Sequence, residues 1–202
     1  MPDGFTEDER AAIRERLLAA GRERFARYGR SKTTVSELTD EAGIADGTFY
    51  RFFDSKLDLY AAVLEREGEE ILPDLLAPLE EEDDPETALA AFMRRVCGEI
   101  ETNPLVERLL TDREELDRLR DHYGPEGVAA EREQSLAYFL PYVEAWYEAE
   151  AVHGPDPETV ASAVRAVTFV TLHRRDIGEE LYEPTRDLLI DAVARGLTTT
   201  AN

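Results

Sequence analysis

The chain has 202 residues, and its 45 acidic side chains outnumber its 23 basic ones, which gives a formal net charge of −22 at pH 7. Hydrophobic residues make up 43% of the sequence, enough for the core of one large domain or two small ones. Wholesale disorder is therefore not expected. The mean field of so acidic a chain repels phosphate, which argues against nucleic acids and anionic membranes as partners.

The basic residues are unusual in kind, since two of the 23 are lysines, Lys32 and Lys56, and the others are arginines. Many carboxylates with few lysines resemble the composition of proteins from salt-loving archaea, whose cytoplasm is concentrated brine. An ordinary acidic bacterial protein is the alternative.

Several site classes lack their usual sequence signals. Cys97 is the single cysteine, so neither an intrachain disulfide nor a cysteine-based zinc site is expected. The histidines are far apart in the sequence and predict no metal site; they are His122, His153 and His173. No glycine-rich phosphate loop or nucleophile elbow is present. We therefore predict neither an enzyme nor a bound cofactor.

The amino-terminal residues lack the basic start and apolar stretch of a signal peptide. No uninterrupted run of about 18 apolar residues could span a bilayer. The sequence therefore predicts a cytoplasmic protein without a membrane partner.

Helical periodicity dominates from the beginning of the chain, and the predicted fold class is all-α. A first helix opens at Thr6, with Glu9 completing a capping box, and ends at Gly29. Steps of three and four residues place one apolar stripe on it. The stripe consists of Ile13, Leu17, Gly21, Phe25 and Tyr28.

Two short helices follow, joined by a glycine-containing turn. The first spans Thr34 to Ala42, with Thr34 and Glu37 as a second capping box, and ends at Gly43. The second begins near Asp46 after only residues 43–45. This arrangement is a helix-turn-helix. The second helix is expected to turn three aromatic side chains inward, namely Phe49, Phe52 and Phe53. A fourth helix starts at about residue 56.

Longer helices are predicted in the rest of the chain. Pro73 and Pro78 are expected to kink or end the fourth helix, with residues 80–86 as a solvated connector. Further helices fit residues 85–102, 104–111, 113–123, 126–151, 157–175 and 183–198. The predicted division is a helix-turn-helix domain over 1–56 and a helical domain over 57–202, linked by the fourth helix.

The helix-turn-helix and the helix before it closely resemble the DNA-binding domain of the TetR family of transcriptional regulators. Thr33 and Thr34 open the second helix, and the remaining matched residues follow at the family's spacing. These are Gly43, Ile44, Gly47, Thr48, Phe49, Tyr50, Phe52, Phe53 and Lys56. The resemblance covers about residues 8–60. Beyond them, only length and helix count agree with the family's variable ligand-binding domain.

The resemblance implies a palindromic double-stranded DNA operator as partner and assigns a DNA-facing surface. Its residues are Thr34, Ser36, Asp46, Gly47, Thr48, Tyr50, Arg51 and Lys56. Their chemistry agrees, because hydroxyls and an arginine fork can read base edges and a lysine can bind phosphate. Asp46 departs from the family, which more often has a polar or basic residue there.

The resemblance also implies a homodimer and a small-molecule effector that releases the DNA. The apolar segment 160–172 and a leucine-rich stripe near the carboxyl end, from Leu181 to Leu197, independently favour a second copy. An effector pocket among the middle helices would suit an apolar or aromatic ligand. Its candidate lining residues are Phe92, Val96, Leu109, Tyr138, Tyr142, Trp146 and His173, although each could simply be core.

The acidity is unevenly distributed. Residues 1–56 hold 10 basic and 11 acidic side chains, a net −1, which leaves −21 for residues 57–202. The sequence therefore favours a ligand-responsive, dimeric regulator, most simply a repressor, and leaves activation open. The alternative is a TetR-like dimer that has lost DNA binding and acts through protein contacts.

Overall fold

The structure is a computed structural model that describes residues 5–198, apart from the side chains of residue 113 and of residues 126–135. Its contacts divide the chain inside the fourth helix into two compact units, Met1–Glu70 and Ile71–Asn202. Residues 57–70, which the sequence assigned to the second domain, therefore pack with the first unit.

The described part of the chain is helical and contains no strand, with one isolated bridge between Val152 and Thr198. The all-α fold class is thus confirmed. The amino-terminal unit contains α1 (Glu7–Tyr28), α2 (Val35–Ala42), α3 (Asp46–Phe49) and the start of α4 (Lys56–Glu81). The other unit continues with α5 (Pro85–Thr102), α6 (Pro104–Thr111), α7 (Arg113–Ala137), α8 (Leu140–Glu148), α9 (Pro157–Thr168), a 3-10 helix (Phe169–His173), α10 (Arg174–Ile177) and α11 (Glu179–Leu197).

The caps of the first two helices are as predicted. Thr6 forms a capping box with Glu9, and the backbone N–H of Gly29 donates to the Phe25 carbonyl at the end of α1. The predicted stripe on α1 is buried except at its end, where Tyr28 is 40% exposed. Its ring is covered by arginine side chains of α1 rather than by the core.

Two prolines lie inside α4 and do not end it, which was one of the two outcomes that the sequence predicted. The helix continues through Pro73 and Pro78 to Glu81, so the connector shortens to residues 82–84. Proline removes a helical hydrogen bond, but Leu76 and Leu79 on the same segment pack against the core of the second unit. Apolar burial therefore offsets the lost backbone bonds.

The later helices are more broken than predicted. Gly124 has a φ of 69° and breaks α7 at the place where the sequence predicted a gap between the helices over 113–123 and 126–151. The second of these predicted helices, however, ends at residue 137 and restarts as α8, with Pro141 in its first turn. The predicted helix over 157–175 is α-helical only as far as Thr168. Beyond Thr168 the chain tightens into the 3-10 helix.

The core of the second unit lies where α5, α8, α9 and α11 meet. Phe92 and Met93 of α5 are buried with Val164 of α9 and Ile190 of α11. A polar cluster joins α5 to α11, because Glu101 accepts hydrogen bonds from the Tyr182 hydroxyl at 2.5 Å and from Arg186 at 3.0 Å. None of the described helices is long and apolar enough to cross a membrane.

Candidate nucleic-acid interface

The scaffold of the amino-terminal unit is the close packing of α1 on α4. A Cβ atom added at Gly21 would lie 3.0 Å from Val63 Cγ2 and 3.4 Å from Leu59 Cδ2, so glycine permits this approach. Beside it, the rings of Phe25 and Tyr60 meet edge to face with centroids 5.2 Å apart. This buried contact gives α2 and α3 a fixed support.

The first turn of α2 is fixed by a capping box that leaves its outer surface open. The Glu37 N–H donates to Thr34 Oγ1 at 3.2 Å, and Glu37 Oε2 accepts from the Thr34 N–H at 2.8 Å. The Thr34 N–H, followed by the Arg24 guanidinium, lowers the pKa of the Glu37 carboxyl. Thr34 and Ser36 remain exposed. The Thr34 hydroxyl is itself part of the cap, since it also donates to Glu37 Oε2 at 3.0 Å, whereas Ser36 is exposed to solvent.

Two hydrogen bonds within the chain hold the turn between α2 and α3. Gly43 is left-handed, with a φ of 66°, and the Ile44 N–H donates to the Thr39 carbonyl at 2.9 Å. The buried Thr39 hydroxyl donates to Asp46 Oδ1 at the start of α3. Asp46 therefore fixes the angle of the turn, a structural role that competes with the predicted contact to DNA.

α3 presents a small exposed surface over an aromatic core. Its four residues are fewer than the sequence suggests, and residues 50–53 continue as turns. Phe49 and Phe53 are buried as predicted, whereas Phe52 is only half-buried. Tyr50 is 59% exposed and its ring meets Phe49 edge to face, with centroids 5.3 Å apart.

Gly47 is exposed, and nothing within the described chain requires a glycine there. Its φ does not lie in the left-handed region, and an added Cβ would meet no atom within 4 Å. Glycine is therefore explained neither by backbone conformation nor by packing in this chain. The position is therefore open to close approach of an external backbone or groove.

Lys56 opens α4 and is half-buried. Its Nζ donates to the Thr33 carbonyl, which ties α4 to the loop before α2. The same ammonium group lies beside the first turn of α2, where a phosphate would find a positive charge. Lys56 thus combines a structural contact with the predicted electrostatic one.

The structure places all eight predicted DNA-binding residues in one compact unit. Six are exposed, and Thr48 and Lys56 are half-buried. Positive charge is concentrated nearby, since residues 14–34 hold seven basic and two acidic side chains. Two supporting contacts were missed by sequence reasoning: the bond from Thr39 to Asp46, and the cation–π contact of Arg51 with Phe5, in which the Arg51 Cζ atom lies 4.8 Å from the ring centroid. Neither contact follows a recognisable spacing rule.

The predicted effector-lining residues divide into two groups. Phe92 is buried, and Val96, Tyr142 and Trp146 pack at the edge of the same core. Leu109, Tyr138 and His173 are not members of that core. Tyr138 is 40% exposed, and the exposed His173 has its Nδ1 atom 3.0 Å from Asp176 Oδ2. The Tyr142 hydroxyl donates to Glu80 at 2.7 Å, a contact that raises its pKa.

Cys97 is buried, as predicted, and burial followed by the charge of Glu101 raises the pKa of its thiol to about 11. A thiol in this state is a poor nucleophile. Within the described residues, no group of three or more histidine, cysteine, aspartate or glutamate side chains could hold a metal ion.

The amino-terminal unit matches a known family. Residues 17–63 fit the family model for bacterial regulatory proteins of the tetR family. A transcriptional regulator of this family from Pectobacterium atrosepticum superposes with a TM-score of 0.77 at 20% identity, over 98% of this chain and 100% of that one. The chain therefore has a TetR-like fold, with an amino-terminal helix-turn-helix and a helical carboxyl-terminal domain.

Two curated relatives match over part of their length. The HTH-type transcriptional activator FasR of Mycolicibacterium smegmatis is 32% identical over 103 residues, which are 51% of this chain and 46% of FasR. The nucleoid occlusion factor SlmA of Glaesserella parasuis is 29% identical over 83 residues, 41% of each chain. The match spans less than half the length of each relative. The comparisons give no support to a salt-loving archaeal source, which remains a resemblance of composition.

Proposed function

We propose that this protein is a transcriptional regulator that binds double-stranded DNA through α2, α3 and the start of α4. The observation that carries the proposal is the exposed polar surface of α2 and α3, where Gly47 is open to close approach of a groove. The tetR-family match over residues 17–63 supports it. The regulator is proposed to work in the cytoplasm.

The roles of the side chains follow from their chemistry. Arg51 offers a forked donor to guanine, and the hydroxyls of Thr48 and Tyr50 bind base edges or phosphate. Thr34 and Ser36, which lie at the first turn of α2, contact the phosphate backbone of the DNA. Asp46 repels phosphate, and its free carboxylate oxygen accepts from a cytosine amino group.

The proposed active form is a homodimer in which α9 and α11 pair with their copies. Leu181 and Leu188 on α11 are 63% and 69% exposed, and they lie seven residues apart on one helix face. Phe169 and Leu172, just beyond α9, are also exposed. Exposed large apolar side chains are typical of a protein interface when they form one patch. Substituting Leu188 by Glu should give a monomer in light scattering, whereas an unchanged dimer would refute this interface.

A small apolar or aromatic effector is proposed to bind beside Phe92, Val96, Tyr142 and Trp146, at the edge of the core of the second unit. Effector binding would shift a two-state equilibrium in the spacing of the two DNA-reading units and release the operator. Repression is the simplest outcome of such release. FasR is named as an activator, and a reporter assay would show whether the present protein represses or activates transcription.

The proposal is tested by genomic pull-down with sequencing, using the wild-type protein and the Arg51→Ala variant as control. A recurrent palindrome that the variant loses supports DNA-dependent regulation. Capture of scattered DNA without a shared sequence by both proteins would refute it.

The second candidate is a TetR-like dimer that acts through protein contacts and no longer binds DNA. The tie between Asp46 and Thr39 favours it, because that contact would account for Asp46 by structure alone. The net charge of −21 on residues 57–202 favours it as well. Recovery of a basic protein partner, together with the absence of any recurrent DNA sequence, would support this alternative.

A further inference from the structure

The segment before α1 reaches the end of the DNA-reading region. Phe5 immediately precedes the capping residue Thr6, and the Arg51 guanidinium carbon lies 4.8 Å from the centroid of the Phe5 ring. The Phe5 ring in turn lies 6.2 Å from Phe52, centroid to centroid. Arg51 therefore lies against an aromatic side chain that is remote in sequence from the helix-turn-helix.

A second contact from the same region holds the backbone of Arg51. Arg10 Nη2 donates to the Arg51 carbonyl at 3.4 Å, and the Arg10 guanidinium carbon lies 5.2 Å from the centroid of Phe52. The capping box at Thr6 fixes the chain direction just after Phe5, with the Thr6 N–H donating to Glu9 at 2.8 Å. Residues 5–10 thus constrain both the main chain and the side chain of Arg51.

The geometry leaves the hydrogen-bonding capacity of Arg51 available. The guanidinium carbon lies over the Phe5 ring in a cation–π contact, which occupies no hydrogen-bond acceptor, and the guanidinium carries five N–H donors. Among the described residues, no side chain forms a hydrogen bond or an ion pair with this guanidinium. An arginine held in one plane loses less conformational freedom when it binds a base edge.

We propose that Phe5 is a positioning residue that sets the sequence preference of the protein by orienting Arg51. This inference rests on the proposed DNA-binding function. Phe5 need not touch DNA, because it acts through the guanidinium that lies over its ring. Substitution of Phe5 should therefore weaken sequence discrimination at the base pair that Arg51 contacts.

The test is a double-mutant cycle of Phe5→Leu and Arg51→Ala, with Phe5→Trp as the matched control. Leucine keeps an apolar contact but removes the ring quadrupole, and tryptophan restores it. Affinities are measured on the selected operator and on duplexes changed at each base pair. Circular dichroism and the melting temperature of each variant report folding separately.

Phe5→Leu should weaken operator binding by about two- to fivefold, the range expected for an exposed cation–π contact. The loss should be concentrated at one base pair in each half-site, be absent in the Arg51→Ala background, and be reversed by Phe5→Trp. Equal losses with and without Arg51, or a loss spread uniformly over all base pairs, would overturn the inference. Absence of sequence-specific binding by the wild-type protein would instead refute the proposed function.

Discussion

Gly47→Ala separates a functional glycine from a structural one. Alanine has a higher helix propensity than glycine by about 1 kcal/mol in a helix interior. At Gly47 the new methyl group would meet no atom within 4 Å, so no steric cost opposes this gain. The variant should therefore fold at least as stably as the wild-type protein.

The effects of this substitution on stability and on DNA binding should be opposite in sign. Because α3 contains only four residues, the gain in unfolding free energy should be at the low end, about 0.5 kcal/mol, or roughly 1–2 °C in melting temperature. A methyl group forced into a close protein–DNA contact should cost about 1–3 kcal/mol, as overpacking does in a core. Operator affinity should then fall by about five- to 150-fold, since about 1.4 kcal/mol corresponds to a factor of ten.

Gly68→Ala is the matched control. Gly68 lies in α4 within the same unit, is exposed, and also has no atom within 4 Å of an added Cβ. Both variants are assayed by thermal unfolding and by fluorescence anisotropy on the selected operator. Gly68→Ala, in the interior of a long helix, should gain at least as much stability and bind DNA like the wild-type protein. If Gly47→Ala also retained full affinity, close approach of DNA would not be the reason for a glycine at this position.

Three further predictions concern other contacts. Asp46→Asn keeps an oxygen for the Thr39 hydroxyl, so the turn should persist while loss of the negative charge alters operator preference or tightens binding; unchanged affinity for every tested sequence would contradict this. Gly21→Ala should lower the unfolding free energy by about 1–3 kcal/mol, because its methyl group lies 3.0 Å from Val63, and a neutral result in chemical denaturation would argue against the close packing of α1 on α4. The pKa of the Cys97 thiol is raised to about 11, so at about pH 8 the thiol should resist alkylation until the protein unfolds. Rapid labelling of the native protein would contradict the burial of Cys97.

The beginning of the chain was the most predictable part, because its signals are local. The capping boxes at Thr6 and Thr34 and the glycine stops at Gly29 and Gly43 depend on residues three or four positions apart. The ends of α1 and α2 could therefore be read directly from the sequence.

The errors arose where distant packing decides. α4 continues through Pro73 and Pro78 because residues far along the chain cover its apolar face, and no local signal reports that cover. The break between α7 and α8 had a local signal in Pro141. The prediction of one continuous helix gave more weight to the apolar periodicity around that proline.

The candidate site was predictable in its residues and not in its supports. The exposed positions of α2 and α3 follow the motif, including Gly47 and the adjoining Arg51. The contacts that hold them join residues seven and 46 positions apart, as in the pairs Thr39 with Asp46 and Phe5 with Arg51. Such contacts depend on how helices pack together, which periodicity does not specify.

The central claim is that this acidic chain reads DNA sequence through α2 and α3. The most direct test is to select binding sequences from a random pool of DNA duplexes with the purified wild-type protein. The selection is made at low ionic strength, where the repulsion between the acidic chain and DNA and the release of counterions both act strongly. The predicted result is an inverted repeat with half-site centres about 34–36 Å apart or slightly more, as a symmetric dimer requires. Recovery of no recurrent sequence, with the protein folded and dimeric, would contradict the claim.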